Sequence, residues 1–198
     1  MDKRIQRTRK LLGNVLVDLL QEKPFHQITV RQITERAGVA YSTFFRNFED
    51  TEDLLQSYLD DFLQDLKNQS YQVGNSSLQL YSRENINVIF QHVQKHPNKY
   101  CILLKIPATQ PMLREFQEDV IAHNFDIMSA YNPNAEPDVP LNLILYKDVK
   151  QLFNIIEWWL DHDLHADPDD VVSYYEQLVI KPAQIRLVNN PQMMKTTP

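Results

Sequence analysis

Residues 39–48 (VAYSTFFRNF) concentrate side chains that can form hydrogen bonds and aromatic contacts. The stretch holds two aliphatic hydroxyl groups, on Ser42 and Thr43, and the Arg46 guanidinium, among four aromatic rings of which Tyr41 adds a phenol. Hydroxyl and guanidinium groups can bond base edges and phosphates, and aromatic rings can pack on sugars or thymine methyl groups. These residue types indicate a surface for a nucleic acid, provided that the stretch exposes them.

Helical phase separates the stretch into a buried edge and an exposed edge. At ~100° per residue, Phe44 and Phe48 coincide on a helix and are predicted to pack inward. The outward and flanking positions are Tyr41, Ser42, Thr43, Phe45 and Arg46. A helix of this kind is typical of a recognition helix.

A second polar cluster, DHDLHAD at residues 161–167, mixes two histidines with three aspartates. His162 and His165 with neighbouring carboxylates could bind a metal ion. The same pattern is typical of a helix C-terminus followed by a polar turn, where histidine is favourable near the negative dipole end. We prefer the second interpretation and predict no metal.

Enzyme motifs do not stand out in the sequence. It has no nucleophile elbow, phosphate-binding loop, zinc-protease motif or pair of cysteines. We therefore predict that the protein is not an enzyme and needs no cofactor. An all-α enzyme or metal protein that uses residues 161–167 is kept as a competing hypothesis.

Two short helices must position residues 41–48. Residues 4–20 form a helix in which Ile5, Leu12, Val15, Leu16 and Leu19 share one face. A second helix follows Thr29, a good N-cap that Gln32 can complement, and ends at Gly38, where a C′ glycine belongs. A tight glycine turn before residues 41–48 is typical of a helix-turn-helix.

The remaining chain also has helical periodicity. A long amphipathic helix begins near Thr51, which can cap it, and turns Leu54, Leu55, Tyr58, Phe62 and Leu66 inward. Further helices are predicted at about 83–96, 98–105, 110–131, 141–162 and 168–180. Loose connections are predicted at residues 72–79 and 131–140. The fold class is therefore all-α, with a three-helix head (residues 1–50) on a larger helical body (residues 51–198).

Charge is distributed unevenly over the 198 residues, whose net charge is −6. Residues 1–48 contain nine Lys/Arg and four Asp/Glu, so the rest of the chain is strongly acidic. A basic head on an acidic body predicts that the head meets a polyanion. One cysteine, no signal peptide and no apolar run long enough to span a bilayer favour a cytoplasmic protein without membrane contact.

The run from Arg4 to about Leu55 resembles the DNA-binding head of the TetR family of transcriptional regulators. The matching signature is TVRQITERAGVAYSTFFRNFEDTEDLL, with Gly38 in the turn and Thr43, Phe44 and Phe45 in helix three. Three positions depart from the family pattern. Thr51 replaces a usual Lys and Phe45 a usual Tyr, each a common phosphate contact, and Thr34 replaces a usual Ala. Tyr41 could supply a replacement hydroxyl.

The resemblance implies a homodimer that places helix three of each head in the major groove of a palindromic operator. A small-molecule effector held by the body would release the DNA, so the protein would be a repressor. The DNA-contacting residues would be Arg4, Thr29, Arg31, Tyr41, Ser42, Thr43, Phe45 and Arg46. At least one residue of the basic arm, which also contains Lys3, Arg7, Arg9 and Lys10, would contact a phosphate or the minor groove.

The body offers aromatic candidates for the effector site and for dimerisation. The ligand-binding candidates are Tyr100, Phe116, Phe125, Phe153 and Trp158. Residues 141–180 are expected to form the dimer interface, with one of Trp158 and Trp159 in the core and the other at the seam. An alternative function is a helix-turn-helix protein whose body binds another protein instead of a small ligand.

Overall fold

The fold is described here from a computed structural model, which covers residues 3–72, 79–131 and 139–183. Within these ranges nine α-helices follow one another along the chain. They are α1 Lys3–Leu20, α2 Val30–Ala37, α3 Tyr41–Phe45, α4 Thr51–Gln72, α5 Arg83–Lys95, α6 Pro97–Lys105, α7 Gln110–Tyr131, α8 Leu141–Asp161 and α9 Pro168–Tyr175. A π-helical segment, Glu176–Ile180, continues α9. The all-α prediction is confirmed, and most of the two predicted connections lies outside the described residues.

The head is built from α1, α2 and α3, and α4 packs against α1. Leu12, Leu16 and Ile33 are fully buried at the centre of this arrangement. Ile5 shares the helical phase of Leu16, as predicted, but it is half exposed, whereas Leu12, Val15, Leu16 and Leu19 of the same face are buried. It lies in the first turn of α1, where helical phase alone does not supply a partner.

The close approach of α1 and α4 explains a glycine in the middle of a helix. A Cβ on Gly13 would lie 2.7 Å from a ring carbon of Tyr58 in α4. Glycine in a helix interior costs roughly 1 kcal/mol relative to alanine. Here it lets the Tyr58 ring lie directly on the α1 backbone, which brings the two helices together.

The N-terminus of α4 is capped by a different residue from the one predicted. The Asp50 carboxylate accepts a hydrogen bond from the Asp53 backbone N–H at 2.8 Å, and the Asp53 carboxylate accepts one from the Glu49 N–H at 2.8 Å. Thr51 is already the first residue of the helix. The prediction of Thr51 as the cap is therefore wrong by one residue, and the acidic first turn still suits the positive helix end.

The body is formed by α4 to α9, with α5 packed on α9 and α7 packed on α8. Trp159 and Tyr175 are fully buried, and both rings lie edge-on to Phe90 of α5. Because α4 packs against α1 and its Phe62 ring contacts His92 of α5 and Tyr100 of α6, one continuous apolar core joins head and body. A displacement of α4 would therefore disturb the packing of both the head and the body.

The polar cluster at residues 161–167 forms a helix–helix turn. The Asp167 side chain caps α9, and Asp163 and Leu164 have positive φ angles in the turn. Among the described residues, no group of three His, Cys, Asp or Glu side chains has a geometry that could hold a metal ion. None of the described helices combines the length and apolar character needed to cross a bilayer.

Candidate nucleic-acid interface

The turn between α2 and α3 fixes the direction of the third helix. Thr29 accepts a hydrogen bond from the Gln32 N–H, and the Gln32 side chain accepts one from the Thr29 N–H, which completes the predicted capping box. Gly38 has φ 65° and ends α2 in the left-handed region that glycine adopts without a steric penalty. The helix-turn-helix geometry predicted from the sequence is therefore present.

Helix α3 is shorter than predicted, because it ends at Phe45 instead of residue 48. The Asn47 side chain donates to the Thr43 carbonyl oxygen at 2.7 Å, and a side chain that bonds the backbone in this way stabilises a turn after the helix. Arg46 is the C-cap residue, and Phe48 returns to the core after the turn. The buried edge predicted for Phe44 and Phe48 is nevertheless confirmed, since neither is more than 4% exposed.

The outward edge of α3 is an exposed mixed surface, which we call the reading surface and define as Tyr41, Ser42, Thr43, Phe45 and Arg46. Tyr41 is 56% exposed and Phe45 is 49% exposed, with ring centroids 5.1 Å apart. Ser42 and Arg46 are also exposed, whereas Thr43 is only half exposed. Two rings, two hydroxyl donors besides the phenol, and one guanidinium thus share a single patch.

Two further candidates, Arg4 and Arg31, lie on exposed parts of the head. The Arg31 guanidinium donates to Glu35 at 2.8 Å, and this hydrogen bond and charge raise the Arg31 pKa above its usual value. Exposed pairs of this kind contribute little stability, so a phosphate could replace the Glu35 carboxylate. Thr29 is exposed at the N-terminus of α2, where its side chain already caps the helix.

The departure at Thr34 has a local structural explanation. This side chain is buried, and its hydroxyl donates to the Val30 and Arg31 carbonyl oxygens at 3.0 Å each. The hydroxyl that replaces a usual methyl group is therefore satisfied within its own helix and requires no partner outside it.

One arginine of the predicted basic arm does not belong to the exposed surface. Arg9 donates to the Asn47 carbonyl oxygen at 2.5 Å and to the Ser57 hydroxyl at 2.7 Å. Sequence reasoning missed this inward position, although a signal was available. Arg9 precedes Leu16 by seven residues and therefore shares the phase of the buried face of α1.

In the body, the five ligand-binding candidates fall into two groups. Tyr100, Phe116 and Phe153 are buried, and the last two rings meet edge-on at 6.2 Å. Phe125 and Trp158 are exposed to 39% and 44%, so they are accessible from the protein surface. The structure therefore does not bring all five into one site.

A buried histidine lies beside Tyr100. The Nδ1 atom of His92 lies 3.1 Å from the Tyr100 hydroxyl, and its ring stacks on Phe62 at 5.2 Å. Its Nε2 atom lies 3.6 Å from an Asp65 carboxylate oxygen. Burial and the nearby His96 lower the His92 pKa, and the Asp65 contact opposes this effect only in part. Burial also raises the pKa of Tyr100, which stays a hydroxyl.

The exposed side of α8 and α9 forms an apolar face, defined as Leu143, Tyr146, Trp158, Tyr174 and Leu178. Each of these residues is between 41% and 55% exposed. The three residues of α8 lie within about 60° of one direction around the helix axis. The Trp158 and Tyr174 rings, 6.1 Å apart, connect the two helices across this face. The prediction that one of the two adjacent tryptophans lies in the core is confirmed: Trp159 is buried and Trp158 points outward.

The fold and the reading surface together define a helix-turn-helix head. Residues 15–58 match the model of the family described as "Bacterial regulatory proteins, tetR family". The matched range runs from α1 to the first turns of α4 and includes the whole reading surface. The match covers the helix-turn-helix head, and it supports a regulator of the TetR type.

One relative is similar to this protein over most of the chain. The uncharacterized HTH-type transcriptional regulator YxbF of Bacillus subtilis (strain 168) is 20% identical over 170 residues, which are 83% of this chain. Those residues correspond to only 42% of YxbF, so the chain spans less than half of that relative.

Solved structures show the same fold in both head and body. NalD, the secondary repressor of the MexAB-OprM multidrug efflux pump in Pseudomonas aeruginosa, superposes with a TM-score of 0.73 at 15% identity, covering 89% of this chain and 96% of NalD. The regulator FadR from Bacillus subtilis, in complex with stearoyl-CoA, gives 0.66 at 15% identity, covering 86% and 97%. At these identities the matches establish a shared fold.

Proposed function

We propose that the protein is a homodimeric repressor that binds a palindromic DNA operator through α3 and is released by a small-molecule effector bound in the body. The observation that carries this proposal is the reading surface, where a phenol, a guanidinium and the Ser42 hydroxyl are exposed, and the Thr43 hydroxyl is partly exposed, on a helix-turn-helix. The α3 helix would lie in the major groove, with its polar side chains reaching base edges and phosphates. Its proposed role is binding rather than catalysis, in the cytoplasm where the DNA is.

The dimer is proposed to form through the apolar face. A contiguous exposed apolar patch on a regulator commonly marks an interface, and helices α8 and α9 could pair with their symmetry mates as a four-helix bundle. Two heads held at a fixed distance would then read half-sites about one helical turn apart. The acidic body outside the head would disfavour other contacts with the DNA backbone.

The effector is proposed to be a small molecule with substantial apolar surface. The complex of B. subtilis FadR with stearoyl-CoA supports this class of ligand for the shared fold. Tyr100, Phe116 and Phe153, buried between the body helices, are the candidates best placed to contact it. Phe125 and Trp158 remain candidates only for a ligand that reaches the surface, and Trp158 fits the apolar face better.

Selection of bound DNA from a random pool tests the proposed function most directly. The expected product is a palindrome with two half-sites, to which the wild type binds in preference to random DNA. Arg46→Ala should weaken binding to the selected site by roughly 5- to 150-fold, because a guanidinium contact to a base or phosphate is lost.

Arg114→Ala is the matched control, since Arg114 is also exposed but lies on α7 in the body. It should bind the selected site like the wild type. Equal affinity of the wild type for selected and random DNA would contradict sequence-specific regulation. A selected sequence without two-fold symmetry would contradict the dimeric mode, and a protein partner captured by the body in place of any effector would favour the alternative function.

A further inference from the structure

Arg9 occupies a position where three elements of the head meet. Its side chain leaves α1, and its two terminal nitrogens donate to the Asn47 carbonyl oxygen and to the Ser57 hydroxyl. Its guanidinium carbon also lies 4.2 Å from the centroid of the Phe48 ring. One side chain therefore bonds the turn that ends α3, packs on the residue that anchors this turn, and bonds α4.

The α3 helix depends on contacts of this kind. It has only five residues, and its N-cap, Ala40, offers no side-chain hydrogen bond. A helix of one turn is unstable alone, because the cost of nucleation exceeds the few hydrogen bonds that it forms. Its direction must therefore be fixed by neighbouring elements, namely Phe44 in the core and the Arg9 bonds at its C-terminal end.

The two hydrogen bonds of Arg9 come from the two terminal nitrogens of its planar guanidinium group, which together form a fork. A guanidinium can hold two acceptors in fixed relative positions, which an ammonium group cannot do as well. Because Asn47 and Ser57 belong to different elements, this fork sets their separation. Arg7 and Lys10, which flank Arg9 on α1, are both exposed, whereas Arg9 is partly buried.

We propose that Arg9 is a positioning residue, which holds the reading surface at a fixed orientation to α4, and that it is not one of the phosphate contacts of the basic arm. The proposal rests on the proposed function, because its consequence is measured in DNA binding. We call the two Arg9 hydrogen bonds, to Asn47 and Ser57, the bridge. Because α4 continues from Ser57 into the body, the bridge links the reading surface to a helix that also packs against the body.

Two variants test the bridge at opposite ends. Arg9→Gln removes the fork, and Ser57→Ala removes only the bond to α4. Loss of charged hydrogen bonds should lower affinity for the selected operator by about tenfold or more in Arg9→Gln, and by a smaller factor in Ser57→Ala. Ser57→Ala should add little in the Arg9→Gln background, because the bond is already absent.

The salt dependence of binding to random DNA separates positioning from phosphate contact. Loss of a phosphate contact lowers the slope of log K against log salt by about 1 and weakens binding to all sequences alike. We expect Arg9→Gln to keep the wild-type slope on random DNA while its preference for the operator falls. The control Lys10→Gln makes an equal change of charge on the same helix and should leave this preference unchanged.

Hydrogen exchange of the DNA-free protein supplies a readout independent of DNA. Amides of residues 41–48 should exchange faster in Arg9→Gln than in Lys10→Gln, at a temperature where circular dichroism shows both variants folded. If Arg9→Gln does not fold, Arg9→Lys and Ser57→Ala serve in its place, and a smaller change in the same direction is expected.

A salt slope reduced by about 1 in Arg9→Gln, with operator preference retained, would overturn the proposal. So would unchanged exchange at residues 41–48, or wild-type operator binding by Ser57→Ala. A wild type that prefers no sequence would instead refute the proposed function, and hydrogen exchange would still decide whether the bridge orients α3.

Discussion

Two surfaces of this protein expose aromatic rings, and they differ in the groups around those rings. On the reading surface, Tyr41 and Phe45 stand beside hydroxyls and the Arg46 guanidinium, on a head rich in Lys and Arg. On the apolar face, Trp158 and Tyr174 stand beside Leu143 and Leu178, on an acidic body. Exposure of aromatic residues is therefore common to both, and the neighbouring groups distinguish the expected partners.

Physical chemistry explains why these neighbours matter. A ring surrounded by hydrogen-bond donors can pack on a sugar while the donors satisfy phosphates and base edges. A ring surrounded by leucines gains most by excluding water against another apolar surface. These differences are the reason for proposing a polyanion as the partner of the first surface and a further copy of the chain as the partner of the second. Variants that affect one surface and spare the other can test this distinction.

The largest expected effect is a difference in stability between alanine variants of two adjacent phenylalanines of α3. Phe44 is fully buried and Phe45 is half exposed. Phe44→Ala should lower the free energy of unfolding by about 3–5 kcal/mol, because it leaves a cavity in the head. Phe45→Ala should change that free energy by less than about 0.5 kcal/mol. Chemical unfolding followed by circular dichroism, at fixed protein concentration, measures both.

Operator affinity should show the opposite order at a temperature where both variants are folded, with the larger loss in Phe45→Ala. Phe45→Ala should lose ~1 kcal/mol of operator affinity, the value expected for apolar surface that DNA no longer covers. A stability loss in Phe45→Ala as large as that in Phe44→Ala would show that Phe45 belongs to the core. The reading surface would then have to be redefined without its second ring.

The next effect concerns the apolar face. Leu178→Glu should raise the dissociation constant of the dimer by about 100-fold or more, because a charge would be buried without a partner. Analytical ultracentrifugation over a range of concentrations measures it. Operator affinity should fall as well, because a monomer offers only one head.

Leu11→Glu is the matched control, since Leu11 is similarly exposed but lies on α1 of the head. It should leave the dimer intact. If Leu11→Glu dissociated the dimer while Leu178→Glu did not, the interface would involve the head and the assignment of the apolar face would be wrong. A wild type that remains monomeric at all concentrations would contradict the proposed dimer itself.

Much of the difference between the two surfaces could be predicted from the sequence. Helical phase correctly sorted Phe44 from Phe45, and it predicted that adjacent Trp158 and Trp159 point in different directions, because within a helix burial follows the 3.6-residue period. The period failed at helix ends, where Ile5 is exposed, α3 ends early, and Asp50 rather than Thr51 is the cap. At two of these ends the outcome depends on single capping hydrogen bonds, from the Asp53 N–H to Asp50 and from the Asn47 side chain to the Thr43 carbonyl oxygen, which the period does not encode.

Arg9 illustrates the same limit at the candidate site. Its position in a run of basic residues indicated a surface arm, although its phase indicated the buried face. The acceptors that decide between these possibilities, on Asn47 and Ser57, lie about 40 and 50 residues further along the chain. No local pattern could pair them. In the body, the separation of buried Tyr100 from exposed Phe125 likewise depends on how α6 and α7 pack.

The smallest expected effect is a loss of stability at acidic pH that originates in the body and not in the head. His92 in the body is buried, and desolvation and nearby His96 lower its pKa below the usual 6.5. Two further groups act on it from α4 and α6: Asp65 raises its pKa, and Lys99 lowers it. The hydroxyl of Tyr100 contacts its other nitrogen. The head contributes one histidine, His26, which is exposed.

The sign of the effect follows from proton linkage. Between the lowered pKa of the folded state and the value of about 6.5 in the unfolded chain, the unfolded state binds more protons. The His92 contribution to stability is therefore complete above about pH 6.5 and is lost as the pH falls through this window. The free energy of unfolding should decrease between pH 7.5 and 5.5, and it should decrease less in His92→Gln.

Hydrogen exchange at the two pH values, corrected for the intrinsic pH dependence of exchange, would locate this loss. Protection should decrease in α5 and α6 of the wild type and change less in α1 and α2, because the buried histidine lies in the body. The carboxylates are common to wild type and His92→Gln, so the difference between the two isolates the histidine. Equal pH dependence of stability in both proteins would show that His92 is not the source. A loss of protection confined to the head would place the acid-sensitive element on the side of the reading surface and reverse the distinction drawn here between the two regions.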